Sequence, residues 1–489
     1  MKTDTIAAIA TAVSDSGIGI IRISGDEAIE IANRVYHSKN NRKRLVDVKS
    51  HTIHYGYIYD GDVLVDEVMV AVMHAPNTYT KEDTVEIDCH GGILVMNQIL
   101  EVILKNGCRL AEPGEFTKRA FLNGRIDLSK AEAVMDIIHS KNEFALRSSV
   151  EQLKGSVSDK VRSLREDLLY EIAFIESALD DPEHISLDGY FDKLAEKASR
   201  IQGELKKLID SADNGKMLKD GINTVIVGKP NAGKSSLLNL LVGEEKAIVT
   251  SVAGTTRDVL EESIKLHGVG LNMIDTAGIR NTEDVVEKIG VEKARKYAGN
   301  ADLIVYVVDA SRPLDENDDE IMELIANKKV IVLLNKTDLE QVVSEDDIVK
   351  KMTDMSQMDS IENDKKMTDM SQISSIENDK KMTKVSVIRT STKENTGMDD
   401  FERTIKQLFF GGEIAVNDEI YITNQRHKEA LIEAYESMEM VLKSLDDQMP
   451  EDFYSIDLMS AYASLGRIIG EEVGEDLVNE IFSKFCMGK

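Results

Sequence analysis

Thr224-Val225-Ile226-Val227-Gly228-Lys229-Pro230-Asn231-Ala232-Gly233-Lys234-Ser235 is an apolar run followed by a glycine-rich turn, and it opens the helical run Ser236-Leu237-Leu238-Asn239-Leu240-Leu241. A strand feeding such a turn converges backbone N–H groups on an anion at a helix N-terminus, where the helix dipole also favours negative charge. Gly228, Asn231, Ala232, Gly233 and Ser236 then cradle phosphates. Lys234 reaches the β- and γ-phosphates, and the Ser235 hydroxyl ligates Mg²⁺. The expected ligand is a nucleoside triphosphate.

Three further motifs lie at the ends of apolar runs. Leu271 to Ile274 leads into Asp275-Thr276-Ala277-Gly278, which puts the Asp275 carboxylate in the Mg²⁺ shell and the Gly278 N–H at a γ-phosphate. Val330 to Leu334 leads into Asn335-Lys336-Thr337-Asp338. A carboxylate at Asp338 accepts two hydrogen bonds from the imino and amino groups of guanine, whereas adenine would leave it unpaired, so GTP is favoured over ATP. Val385 to Arg389 precedes Ser391-Thr392-Lys393, the loop that closes over the guanine oxygen in GTPases. Motifs in this order predict a Ras-like GTPase domain with Lys234 and Asp275 in the catalytic centre.

Two departures mark this GTPase. Ile279 stands where Ras-type enzymes carry the glutamine that orients the attacking water. Glu283, Asp284 and Glu287 follow, either as carboxylates that orient water or as a solvated acidic face. In the segment 250–258, Thr256 can complete Mg²⁺ coordination. Asn231 either shapes its turn or offers a side-chain oxygen to a monovalent cation against the phosphates, doing electrostatically what an arginine finger does elsewhere.

At 489 residues the chain is too long for one core and predicts about three domains. Its 59 Lys+Arg against 88 Asp+Glu give a formal charge of -29, a field that repels nucleic-acid phosphate, so RNA must be met locally or through a partner. Cys89, Cys108 and Cys486 stand far apart, which fits neither a disulfide framework nor a zinc site and suits a reducing cytosol. Ile6 to Val13 reads as a strand or as a signal peptide, and Asp4 with only Lys2 basic argues against the latter. No apolar run approaches a membrane span.

Residues 1–120 alternate strand-like runs (Gly19 to Ile23, Val63 to Met73, Thr84 to Asp88) with helix-like ones (Glu27 to Val35, Ile93 to Lys105), predicting an α+β domain. Over 121–218, Ser129-x-x-Glu132 reads as a capping box opening a long helical stretch. Leu153, Val157, Val161, Leu164, Leu168, Ile172 and Ile175 form one apolar stripe that Asp180-Asp181-Pro182 stops. The GTPase is expected over 219–413, and helical spacing resumes over 414–489 with Leu458, Ala461, Leu465, Ile468 and Ile469. The predicted architecture is thus multidomain α/β and α, with the GTPase inserted into a helical domain. An insert over 350–384 holds a near-copied unit, residues 350–364 repeated at 365–379, whose low complexity implies no chemistry.

The phosphate-loop motif, Gly254-Thr255-Thr256-Arg257-Asp258, Arg22-Ile23-Ser24-Gly25, His90-Gly91-Gly92, the run Pro113 to Asn123 and the terminal Cys486-Met487-Gly488-Lys489 closely resemble the MnmE (TrmE) family of tRNA modification GTPases. The resemblance covers nearly the whole chain. It implies a cytoplasmic homodimer joined through N-terminal domains that bind 5-formyl- or 5,10-methylene-tetrahydrofolate. It also implies a potassium-stimulated GTPase that acts with an FAD-dependent partner, MnmG, to install a carboxymethylaminomethyl or aminomethyl group on carbon five of the tRNA wobble uridine. Carried over by motif, Asn231, Thr250, Val252 and Thr255 hold K⁺, Ser235 and Thr256 hold Mg²⁺, and Glu287 is the catalytic glutamate. Arg22, Glu86, Arg125 and Lys489 surround the folate, whose carboxylates and pterin edge suit arginines and a glutamate. Arg125 also reads as a surface charge. Cys486 has no histidine or base beside it in the sequence, which leaves a structural role open to it. Two rival functions are a regulatory switch of the ribosome-assembly type without folate chemistry, and a non-catalytic scaffold whose nucleotide governs dimerisation.

Overall fold

The computed structural model describes residues 4–39, 43–140, 142–181, 183–184, 189–244, 262–266, 269–274, 301–325, 328–354, 385–410, 420–486 and 488. The chain divides into two compact units, one made of Met1–His139, Ser149–Lys207 and Gln425–Lys489, the other of Ser140–Ser148 and Leu208–Asn424.

The first unit begins with β1 (Ile6–Ile9), β2 (Ser16–Ser24), α1 (Ala28–Val35), β3 (Tyr36–Ser38), β4 (Thr52–Asp60) and β5 (Val63–Met73). β6 (Thr84–Gly91), α2 (Ile93–Lys105), β7 (Arg109–Leu110) and α3 (Glu115–Leu122) follow. The strands form one sheet in the order β3-β4-β5-β6-β2-β1-β7, antiparallel except for the β1–β7 pair. Ile6 to Ile9 is therefore a strand of this sheet. Alternation along the strands decides which residues α1 and α2 cover. Ile21, Ile23, Val85 and Ile87 share a core with Ile31, Ile99 and Ile103, each burial contributing roughly 1.5–3 kcal/mol. The residues between them, Arg22 and Glu86, therefore fall on the opposite face.

Helices α4 (Leu128–His139), α5 (Glu143–Lys154), α6 (Ser156–Asp180) and α7 (Tyr190–Asp220) come next. The helix start differs from the capping-box expectation. α4 already includes Leu128, and Asp127 is its cap: the Asp127 carboxylate accepts from the Lys130 N–H at 3.0 Å and from the Ser129 hydroxyl at 2.7 Å. An aspartate preceding the helix satisfies an orphan donor without the conformational competition of a serine inside the first turn. Glu132 is thereby freed for a distant pair. The apolar stripe is also interrupted: Gly155, at φ +120°, separates α5 from α6, and Leu153 is only half-buried while Val157 to Ile175 are buried.

The second unit carries β8 (Ile222–Val227), α8 (Lys234–Glu244), β9 (Glu262–Leu266), β10 (Val269–Met273), β11 (Leu303–Asp309), α9 (Glu316–Ile325), β12 (Val330–Asn335), β13 (Ser386–Arg389) and α10 (Met398–Phe410). Its sheet runs β13-β12-β11-β8-β10-β9, parallel except for β9–β10. The residues of β11 and β12 are buried throughout, as a parallel sheet covered on both faces requires. Leu237, Leu238, Phe401 and Ile405 cover one face, and Ile321, Met322 and Ile325 cover the other. Of the insert over 350–384, residues 355–384 lie outside the described residues.

The chain then returns to the first unit through α11 (Gln425–Asp446), α12 (Glu451–Ile469) and α13 (Glu475–Ser483). α12 packs on α6 and α11, burying Leu458, Ala461, Leu465, Ile468 and Ile469. The junction is tied by charge. Arg426 donates from Nε at 2.9 Å and from Nη2 at 2.8 Å to the Glu132 carboxylate, and His427 Nε2 lies 2.8 Å from Glu132 Oε2. No helix among the described residues is long and apolar enough to cross a membrane.

Candidate functional site

Parallel strands deliver their C-terminal ends to one rim, and there the second unit gathers its polar loops. The turn after β8 brings Gly228 through Gly233 to the first residues of α8, so Lys234 and Ser235 lie in its opening turn. Lys234 Nζ donates to the carbonyls of Gly228 at 2.7 Å and Lys229 at 2.6 Å, which curls the turn around its ammonium. Asn231 sits at φ +62°, a left-handed position that asparagine tolerates, so it does shape the turn. It also lines a cavity of about 670 Å³ with Lys229, Ala232, Asp309, Arg312 and Asp315.

Asn335, at the end of β12, fastens two motifs together. Its side-chain nitrogen donates to the Ala232 carbonyl at 2.9 Å, and its oxygen accepts from the Thr392 N–H at 3.1 Å. Asp338 is held from the same loop, accepting from the Ser391 hydroxyl at 2.8 Å, while Lys393 points outward and is exposed. Lys336, at φ +65°, ion-pairs with Asp309 at 2.6 Å. Burial works to raise the Asp309 pKa, but the Lys336 ammonium and the Ser311 hydroxyl outweigh it and hold the carboxyl below its ordinary value. Asp309 closes the apolar run from Leu303, and that position was the signal by which the sequence could have revealed it.

Gly233 explains why the loop tolerates no side chain there. Its φ is +109°, and a Cβ would lie 2.0 Å from the Asn335 side-chain nitrogen. Gly233→Ala is expected to weaken GTP binding by about 1–3 kcal/mol through backbone strain and displacement of Asn335. Titration with a fluorescent GTP analogue checks this; parental affinity would show that the loop moves freely at this point.

Thr250, Val252, Thr255, Thr256, Asp275, Thr276, Ala277, Gly278 and Glu287 lie outside the described residues. Of the groups expected on Mg²⁺, Ser235 is described. The donor chemistry fits: a hydroxyl at a helix N-terminus beside a lysine suits a phosphate-bound hard cation.

A second constellation occupies the first unit. Arg22 and Glu86 are register partners on β2 and β6, and Arg22 Nε donates to Glu86 Oε1 at 2.7 Å. Arg22 Nη1 also donates to the Gly488 carbonyl at 3.0 Å, so the chain end returns to this pair. The Arg22 guanidinium lies 5.7 Å from the Phe116 ring centroid and 6.0 Å from that of Tyr79. Arg125 is exposed, and its guanidinium lies 4.7 Å from the centroid of the same Tyr79 ring. Lys489 lies outside the described residues. Tyr79 was missed in the sequence, since an isolated tyrosine in a loop carries no periodic signal. Its hydroxyl is 2.9 Å from Thr117 Oγ1. Buried Arg119, on the same helix as Thr117, joins Glu82, Glu115 and Asp4, which fixes the run Pro113 to Asn123 against the strand region.

The expectation that Cys486 lacks a histidine neighbour is corrected by the fold: its exposed Sγ lies 3.9 Å from His139 Nε2, across 347 positions of sequence. The other two thiols are buried, Cys89 pushed up to about 11 and Cys108 to about 12 by that burial.

These features make the second unit a Ras-like P-loop GTPase domain. The helical-domain profile of MnmE matches residues 128–486, and the profile of the GTP-binding protein TrmE N-terminus matches residues 5–125. The tRNA modification GTPase MnmE of Lachnoclostridium phytofermentans is 55% identical over 489 residues, covering 100% of both chains. The proteins of the same name from Acetivibrio thermocellus and Staphylococcus epidermidis are 47% and 44% identical, each again covering 100% of both chains.

Proposed function

The chain belongs to the MnmE family of tRNA modification GTPases, and from that premise we propose that it is the folate-binding, potassium-stimulated half of a complex that modifies the tRNA wobble uridine. It is a GTP hydrolase acting in tRNA modification, with GTP and Mg²⁺ at the phosphate loop and tRNA as substrate. In this reading Lys234 neutralises the β- and γ-phosphates, Ser235, Thr256 and Asp275 serve the Mg²⁺ shell, and Glu287 orients the attacking water. Asn231, Thr250, Val252 and Thr255 hold K⁺ against the phosphates, where a fixed charge stabilises the transition state without an external arginine. Asp338 reads guanine beneath the loop Ser391-Thr392-Lys393. In this reading the domains are 1–120, 121–218, 219–413 and 414–489.

The observation that carries the folate half is the meeting of Arg22, Glu86 and Gly488 beside Tyr79 and Phe116. A switch that only gates assembly has no use for a chain end hydrogen-bonded to such a cluster. The partly accessible Tyr79 ring suits a pterin, with buried Phe116 packed behind Arg22, Glu86 suits its donor edge, and Arg22, Arg125 and Lys489 suit the glutamyl carboxylates. When bound, tetrahydrofolate supplies a one-carbon unit; these residues bind and orient it. The protein would act as a cytoplasmic homodimer that joins the FAD-dependent MnmG in a heterotetramer or larger complex.

GTP turnover in KCl against NaCl, with and without the FAD protein, tests the reading together with a folate titration of the full chain. Faster turnover in KCl and folate binding in the micromolar range or tighter are expected. Equal rates in both salts overturn the K⁺ assignment, and absence of folate binding favours the switch.

A further inference from the structure

The outer edge of the N-terminal sheet carries a charge opposite to that of the chain. Lys39, Lys43, Arg44 and Lys49 are exposed around β3 and the start of β4, and none of the four is ion-paired among the described residues. In a chain with 88 carboxylates against 59 cations, four neighbouring cations without a partner are conspicuous as a local positive field.

Aromatic rings stand beside them. Along β4 the alternation buries Gly56 and Ile58 toward the core and turns Ile53, Tyr55, Tyr57 and Tyr59 to the other face. Register pairs Tyr57 with His37 on the edge strand β3, and the His37 and Tyr59 rings approach to 4.8 Å. Tyr55 is 46% exposed, its ring meets Tyr57 edge-on at 6.0 Å, and Lys39 Nζ hangs 5.9 Å over it. Lys43 is near enough to help burial hold the His54 imidazole below its ordinary pKa. Stackable rings within reach of unpaired cations are what unstacked RNA bases and their phosphates require.

We propose that this patch holds a loop of the tRNA directly, its phosphates on Lys39, Lys43, Arg44 and Lys49 and a base against Tyr55. The proposal rests on the tRNA-modification reading and deepens it, because it gives an acidic protein its own local contact with RNA. Charge complementarity selects RNA as the occupant.

The test measures binding of bulk tRNA to the full chain across a KCl series, comparing the parent with the variant K39Q/K43Q/R44Q/K49Q. Affinity is expected to fall at least about tenfold, and the slope of log K against log[KCl] to become shallower by roughly 3, about 0.7 for each of the four lost phosphate contacts of a single-stranded loop. The pairs K39Q/K43Q and R44Q/K49Q serve if the fourfold variant folds poorly, each with about half the slope change. Tyr55→Ala should weaken binding several-fold and Tyr55→Phe should restore it. GTP turnover is expected to stay at the parental value in all of them. Unchanged affinity and slope overturn the patch, as does Tyr55→Ala dissociating a dimer while tRNA affinity holds, which would assign the face to a second copy. Failure of the parent, with its FAD partner, to modify undermodified tRNA overturns the underlying reading instead.

Discussion

Asp338→Asn is expected to lower kcat/KM for GTP by roughly 10⁴-fold, because a site built to pair with a particular edge rejects an edge that leaves its groups unpaired. The Asp338 carboxylate is steered by the Ser391 hydroxyl, and Asn335 fixes the same loop through Thr392. An asparagine nitrogen in that place meets the guanine imino donor with a second donor. Xanthine, which presents a carbonyl where guanine has its amino group, gives that nitrogen an acceptor. Turnover of xanthosine triphosphate should therefore rise as that of GTP falls. Undiminished kcat/KM for GTP would mean that the base is read elsewhere.

Glu132→Ala is expected to cost about 3–5 kcal/mol of stability, since it strands the Arg426 guanidinium inside the helical part of the first unit. Arg426 also donates to the Ile468 carbonyl at 3.0 Å, so it cannot swing out to water without breaking the junction at the start of α11. Urea unfolding of the full chain, followed at its first-unit transition, checks the cost, and a loss below about 1 kcal/mol would show that the pair only offsets its own desolvation. The pH dependence has a definite sign. Burial works to raise the Glu132 pKa, but His427 and Arg426 prevail and hold it at about 2. A carboxyl depressed in the folded state stabilises above its unfolded value near 4.5 and loses that contribution as pH falls toward 2, a loss of order 3 kcal/mol. The parent should weaken across that window and Glu132→Ala should lack this component.

Elements with strong local period were legible from the residues. Ile93 to Lys105 is apolar enough and long enough to be a helix, and it is one; Val63 to Met73 runs as a strand between turn residues. Helix starts were less legible. Ser129-x-x-Glu132 matches a capping box, yet Asp127 caps α4, because Glu132 has a stronger claim from Arg426 than from its own helix N-terminus. Likewise the stripe through Leu153 and Val157 reads as one helix, and only the left-handed turn at Gly155 divides it.

The phosphate loop was determined by sequence alone, since a strand, a glycine-rich turn and a helix N-terminus within a dozen residues are local consequences of backbone sterics and hydrogen bonding. The order of motifs and the insertion of an α/β unit between helical stretches were determined the same way. Tertiary structure decided what meets across the chain: Arg22 with Glu86 and Gly488, Asn335 with Ala232 and Thr392, Cys486 with His139, and Glu132 with Arg426. These partners are separated by tens to hundreds of residues. No periodicity links them, and only sheet register and helix packing bring their side chains within bonding distance.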